Sequence, residues 1–116
     1  MSASHAPQSQ PTTLQLTRVS TYGAATERSW TITDVTCVQQ LFQVIQYLPR
    51  HYAESGDTCT ISRYDSSLNF LVGTKSLQKD DLGGYCRTLT LKNGIHLDPT
   101  DTFNSLLRNM LNVNHL

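Results

Sequence analysis

Residues 28–49 read RSWTITDVTCVQQLFQVIQYLP, and this stretch decides the fold. Its first residues alternate, with Trp30 and Ile32 on one side and small polar residues on the other, the period-two pattern of a half-buried strand. Asp34 then supplies a helix cap, because a short carboxylate can accept from the free backbone N–H groups of a first turn. Beyond it Val38, Leu41, Phe42, Ile45 and Leu48 recur at helical spacing, while Gln39, Gln40, Gln43 and Gln46 take the opposite face. Pro49 stops the helix. Cys37 falls inside it, where a buried free thiol is the expectation.

Upstream, Thr12–Val19 alternates through Leu14 and Leu16 and predicts a strand antiparallel to 28–33, itself placed at a sheet edge. Residues 1–12, rich in Ser, Ala, Pro and Gln, predict a disordered tail, leaving residues 13–116 for one α+β domain. Downstream, Thr58–Arg63 predicts a strand, Tyr64–Ser67 a turn, and Leu68–Val72 a strand with Leu68, Phe70 and Val72 inward. Thr74–Asp81 reads as a weak edge strand or a loop. Gly83-Gly84 breaks the chain before the strand-like Tyr85–Leu91, and Asn93-Gly94 suits a two-residue type I′ hairpin into Ile95–Leu97. Asp98-Pro99 predicts the start of a last helix with Phe103, Leu106, Leu107, Met110 and Leu111 as its apolar stripe. The expected architecture is an antiparallel meander sheet of five or six strands with two amphipathic helices packed on one face.

The chain has 116 residues, and its nine basic side chains balance nine acidic ones. That balance argues against nucleic-acid binding by phosphate neutralisation. No apolar run approaches the ~18 residues of a membrane span. Residues 1–10 have neither the basic nor the apolar segment of a signal peptide and match the start of a mature exported chain, a cytoplasmic protein being the alternative.

Chemistry-bearing residues are sparse. Cys37, Cys59 and Cys86 form no C-x-x-C pair and the four histidines are scattered, so neither a metal nor another cofactor is expected. Cys59 and Cys86 lie in strand-like runs and look pairable; a bridge would add about 3 kcal/mol on the chain-entropy model. Three reduced thiols are the alternative. Cys86, His96 and Asp98 have the residue types for thiol catalysis, but a strand cysteine and a turn histidine favour an ordinary structural reading, and no catalytic residue is assigned. Asp80-Asp81 reads as a solvated turn. Tyr47, Arg50, His51 and Tyr52 form a polar-aromatic cluster at the helix end, a candidate binding patch.

Two resemblances bear on function. The Asp-capped helix ending in Leu48-Pro49, followed by Cys59, Tyr64-x-x-x-Leu68-x-Phe70 and Gly84-x-Cys86, resembles a group of small bacterial exported or lipoprotein domains without established activity. That resemblance implies export and a Cys59–Cys86 bridge. Cys59-Thr60-Ile61-Ser62-Arg63-Tyr64-Asp65 is similar to the reactive-site region of the subtilisin-inhibitor-like family, which would make Ile61, Ser62 and Arg63 an inhibitory loop. That family uses four cysteines, and this chain has three. The expected function is a non-enzymatic protein-binding domain of a secreted bacterial protein. A serine protease inhibitor and a cytoplasmic partner-capping protein are the alternatives, and a homodimer through strand-edge pairing at Leu14–Val19 is a further expectation.

Overall fold

The computed structural model describes residues 10–21, 27–52, 62–84, 86–114 and 116. Alternation at Leu14 and Leu16 becomes β1 (Thr13–Ser20), paired antiparallel with β2 (Glu27–Ile32), so that Leu16 faces Trp30 across the ladder. Helix α1 (Val35–Gln46) follows at once, capped as its sequence predicts: the Cys37 N–H donates to Asp34 Oδ1 at 3.2 Å. Then come β3 (Tyr64–Val72), β4 (Lys75–Gly83), the short β5 (Thr88–Thr90) and β6 (His96–Leu97), and finally α2 (Asp101–Leu111). The described strands form one open antiparallel sheet in the order β2-β1-β3-β4-β5-β6.

Register sorts the side chains. Leu14, Leu16, Leu68, Phe70, Leu82, Leu89 and Leu97 share one face and pack with Val38, Leu41 and Ile45 of α1 and Phe103, Leu107 and Leu111 of α2. Both helices therefore cover the same side, as expected for an α+β domain. The other face carries Gln15, Thr17, Ser29, Thr31, Ser67, Asn69, Lys79, Asp81, Thr90 and His96, the polar side of a sheet covered on one face.

Several expectations are corrected. β1 lies between β2 and β3, so its backbone groups are used on both sides and Leu14–Val19 is not the edge; β2 is. The ordered chain starts before residue 13: Pro11 is fully buried, and the Thr12 N–H donates to the Leu71 carbonyl at 2.8 Å. Tyr64–Ser67 is the first half of β3 rather than a turn, because its partner β1 is long enough to pair with it as far as Ser20. Val72, expected inward, is 37% exposed at the end of β3, while Leu71 is buried opposite Thr13 of β1; between Phe70 and Leu71 the pairing with β4 shifts register, leaving Leu77 as the extra residue. Lys75–Asp80 is a strand whose far side is unpaired, the weak edge alternative, while Asp81–Gly83 pairs with β5.

Near the end of the chain, Cys86 and Arg87 sit in a turn at φ 63 and 47 rather than in a strand, and β5 begins only at Thr88. The Asn93-Gly94 turn is one residue longer than a two-residue type I′ turn. Gly94 (φ 87) has a left-handed φ and Asn93 does not; the Gly94 N–H donates to Leu91 O and the Leu91 N–H to Ile95 O. That is a three-residue loop closed by a glycine bulge. The cap of α2 is Thr100, whose Oγ1 accepts from the Phe103 N–H, and not Asp98. Of the remaining expectations, the tail over residues 1–9 and the strand over 58–61 lie outside the described residues.

Candidate functional site

The end of α1 is where the chain stops burying its side chains. Leu48 still packs into the core, but Tyr47 is 87% and Tyr52 71% exposed. Pro49 ends the helix, and the chain then lies along β6. The Asp98 N–H donates to Pro49 O at 2.8 Å, the His51 N–H donates to His96 O at 2.8 Å, and Arg50 pairs with Leu97. The His51 ring adds a side-chain bond, its Nδ1 lying 2.6 Å from Asp98 Oδ1. The segment after Pro49 is thus an extra antiparallel rung on the sheet. Its backbone is fixed, while Tyr47, Arg50 and Tyr52 face solvent.

Two clefts flank it. One, of about 630 Å³, runs between α1 and β4 and is lined by Gln10, Phe42, Gln43, Gln46, Tyr47, Leu77 and Gln78. The other, of about 270 Å³, includes Gln46, Leu48, Arg50, Gln78, Leu91 and Leu97. Gln46 and Gln78 border both, so amide groups separate two partly apolar hollows. Leu77, at 38% exposure, adds apolar surface opposite Tyr47. No ring or cation contact engages Tyr47 or Tyr52 among the described residues. The aromatic side chains at the other end of the sheet behave differently: Arg18 lies over both Trp30 and Tyr64, and Arg28 over Trp30. Those rings are already occupied within the molecule.

Tyr47, Arg50, His51 and Tyr52 are brought together as the sequence suggests, with His51 acting as an anchor rather than a contact. Gln46, Leu77 and Gln78 were not singled out as site residues, and Asp98 was not connected with this surface. Asp98 carried the wrong signal, that of a helix cap, and the glutamines gave none beyond marking the polar side of α1.

The other candidates stand apart from this surface. Ile61 lies outside the described residues. Ser62 is buried: its N–H donates to Gly84 O, its Oγ to Tyr64 O, and its carbonyl accepts from Thr21 Oγ1. Arg63 is exposed, but its carbonyl is held by both Thr21 N and Oγ1. The Cys86, His96 and Asp98 set is not assembled: Asp98 bonds His51, and His96 Nδ1 lies 2.8 Å from Thr90 Oγ1 on the uncovered face. Cys59 of the expected bridge lies outside the described residues. Cys37 is free and half-buried rather than buried; partial burial, then the Asp34 carboxylate, raises its pKa and keeps the thiol protonated.

Asp80 is not in a solvated turn. It faces Leu68 on the covered side of the sheet, fully buried, accepting from Gln78 Nε2 at 2.7 Å through Oδ2, while Oδ1 has no partner. Desolvation is the main cause of its pKa rising to about 6, with the Gln78 bond opposing and Asp81 adding to the rise. Among the described residues no group of three or more His, Cys, Asp or Glu could hold a metal ion, and no helix is long and apolar enough to cross a membrane. No family model, curated protein or solved structure matches this chain.

Proposed function

We propose that this chain is a non-enzymatic binding domain that engages a protein partner through the Tyr47–Tyr52 segment. The observation that carries this reading is the combination of two strongly exposed tyrosines with a backbone pinned to β6 on both sides of Arg50. Tyrosine offers large contact area at low entropic cost, and a pre-fixed segment loses little further freedom on binding. The flanking clefts give a partner's side chains places to insert, and Gln46 and Gln78 offer amide donors and acceptors between them. An extended peptide or loop is the partner this surface suits best.

The proposal extends to an exported protein with a Cys59–Cys86 bridge. Its support is the different state of the two described cysteines: Cys37 is free and Cys86 is engaged. The inhibitor reading draws less support, since Ser62 is buried and bonded into the scaffold where a bait loop would present its side chains.

A peptide-display selection tests the binding reading, with the wild-type chain as bait and Tyr47→Ser/Tyr52→Ser as counter-bait. The expected result is a family of enriched peptides that lose binding to the double variant. Enrichment equal on both baits would place recognition elsewhere and overturn the reading.

A further inference from the structure

Three arginines from three parts of the fold line one open cleft of about 320 Å³: Arg63 just before β3, Arg87 before β5, and Arg108 in the last turn of α2. Asn104 and Asn114 complete its polar lining. No ion pair among the described residues involves any of the three arginines. We propose that this cleft is a binding site for a tetrahedral oxyanion, a phosphate or sulfate group.

The hydrogen bonding leaves donors in excess. Arg87 Nη1 donates to Asn104 Oδ1 at 2.7 Å, which uses the amide's acceptor and leaves its NH2 group unspent. Arg87 Nη2 is buried with no partner, an arrangement that costs free energy unless something accepts from it. Arg108 makes only a 3.3 Å contact to Ser105 Oγ. The Arg63 backbone is held by Thr21 through N–H and hydroxyl donors, so its position is set while its guanidinium makes no hydrogen bond within the described structure. Guanidinium groups match tetrahedral oxyanions through paired N–H donors.

The backbone shows that the arrangement is held against a cost. Cys86 and Arg87 are consecutive non-glycine residues in the left-handed region, at φ 63 and 47. Such residues persist where surrounding structure over-determines them, and they cluster at ligand sites. Here the turn directs Arg87 inward onto α2, beside a like charge. Burial, and then the Arg108 charge, lowers the Arg87 pKa from its usual range. An anion bound between the arginines would reverse that repulsion.

Thermal unfolding and titration calorimetry of the whole chain with phosphate, sulfate, acetate and chloride at matched ionic strength test the site. The expected result is a saturable rise in Tm with phosphate or sulfate, the tighter of the two naming the group, and none with chloride. Arg63→Gln should weaken the anion about tenfold, the loss expected for one charge-assisted hydrogen bond. Arg108→Gln should weaken it similarly while raising the Tm without anion, because it removes the repulsion; a merely structural Arg108 would lower it. Absence of saturable binding, equal binding of acetate, or unchanged affinity in both variants would overturn the proposal.

Discussion

The covered face of the sheet and the segment along β6 use the same chain in opposite ways. On the covered face, Leu14, Leu16, Leu68, Phe70 and Phe103 are fully enclosed, and side chains hold the elements together. Along β6 it is the backbone that holds, through Pro49, Arg50 and His51, while the tyrosines touch little. In the proposed reading, stability and recognition fall to different atoms. Substitutions of the exposed side chains at 47 and 52 are expected to leave the fold intact, whereas the close-packed interior has almost no such freedom.

Four variants can break that division. Phe103→Ala carries the largest expected effect, a loss of about 3–5 kcal/mol in urea unfolding, from lost burial and the cavity left behind. A loss below about 1 kcal/mol would show that α2 is not part of the stabilising core.

Asp80 is the exception inside the covered face, and its effect has the opposite sign. Its folded pKa of about 6 stands above the ordinary 3.8, so the folded state holds the proton more tightly. The stability it contributes is full below the unfolded pKa and is lost as pH rises through 6. Asp80→Asn should therefore stabilise the protein at pH 7 by on the order of 2 kcal/mol and flatten unfolding free energy between pH 4 and 7. A variant less stable than wild type at pH 7 would contradict this.

Asp98→Ala should cost about 1 kcal/mol, through loss of the His51 contact. It should also speed amide exchange at His51 and at position 98 more than at Leu16; uniform acceleration would show that the rung has no local stability of its own. The smallest effect is expected for Tyr47→Ser/Tyr52→Ser, within about 0.5 kcal/mol of wild type in the same unfolding assay.

The parts of this structure that sequence reveals are those whose pattern is local. Helix α1 was legible because a cap, an apolar stripe and a proline stop all agree within residues 34–49. β4 was not, since Gln78 and Asp80 occupy its inward positions and its pairing with β3 overrides a weak alternation. The same limit applies to the candidate site. Tyr47, Arg50, His51 and Tyr52 are neighbours in the chain and were visible together. The clefts beside them are lined jointly by Gln46 and Gln78 from different elements, and the anchor joins His51 to Asp98, arrangements of distant residues that carry no local mark. Asp98 shows how a correct local rule misleads: a cap-like Asp-Pro pair was displaced by Thr100, which left the carboxylate for His51.

The central claim is that the Tyr47–Tyr52 segment recognises a partner without supporting the fold. Its most direct test is a paired measurement on Tyr47→Ser/Tyr52→Ser: Kd for a peptide selected on the wild-type chain, and Tm of the same sample. The account predicts affinity falling at least about tenfold with Tm shifting by less than about 3 °C. Unchanged affinity, or a Tm loss large enough to explain the weaker binding, would contradict it.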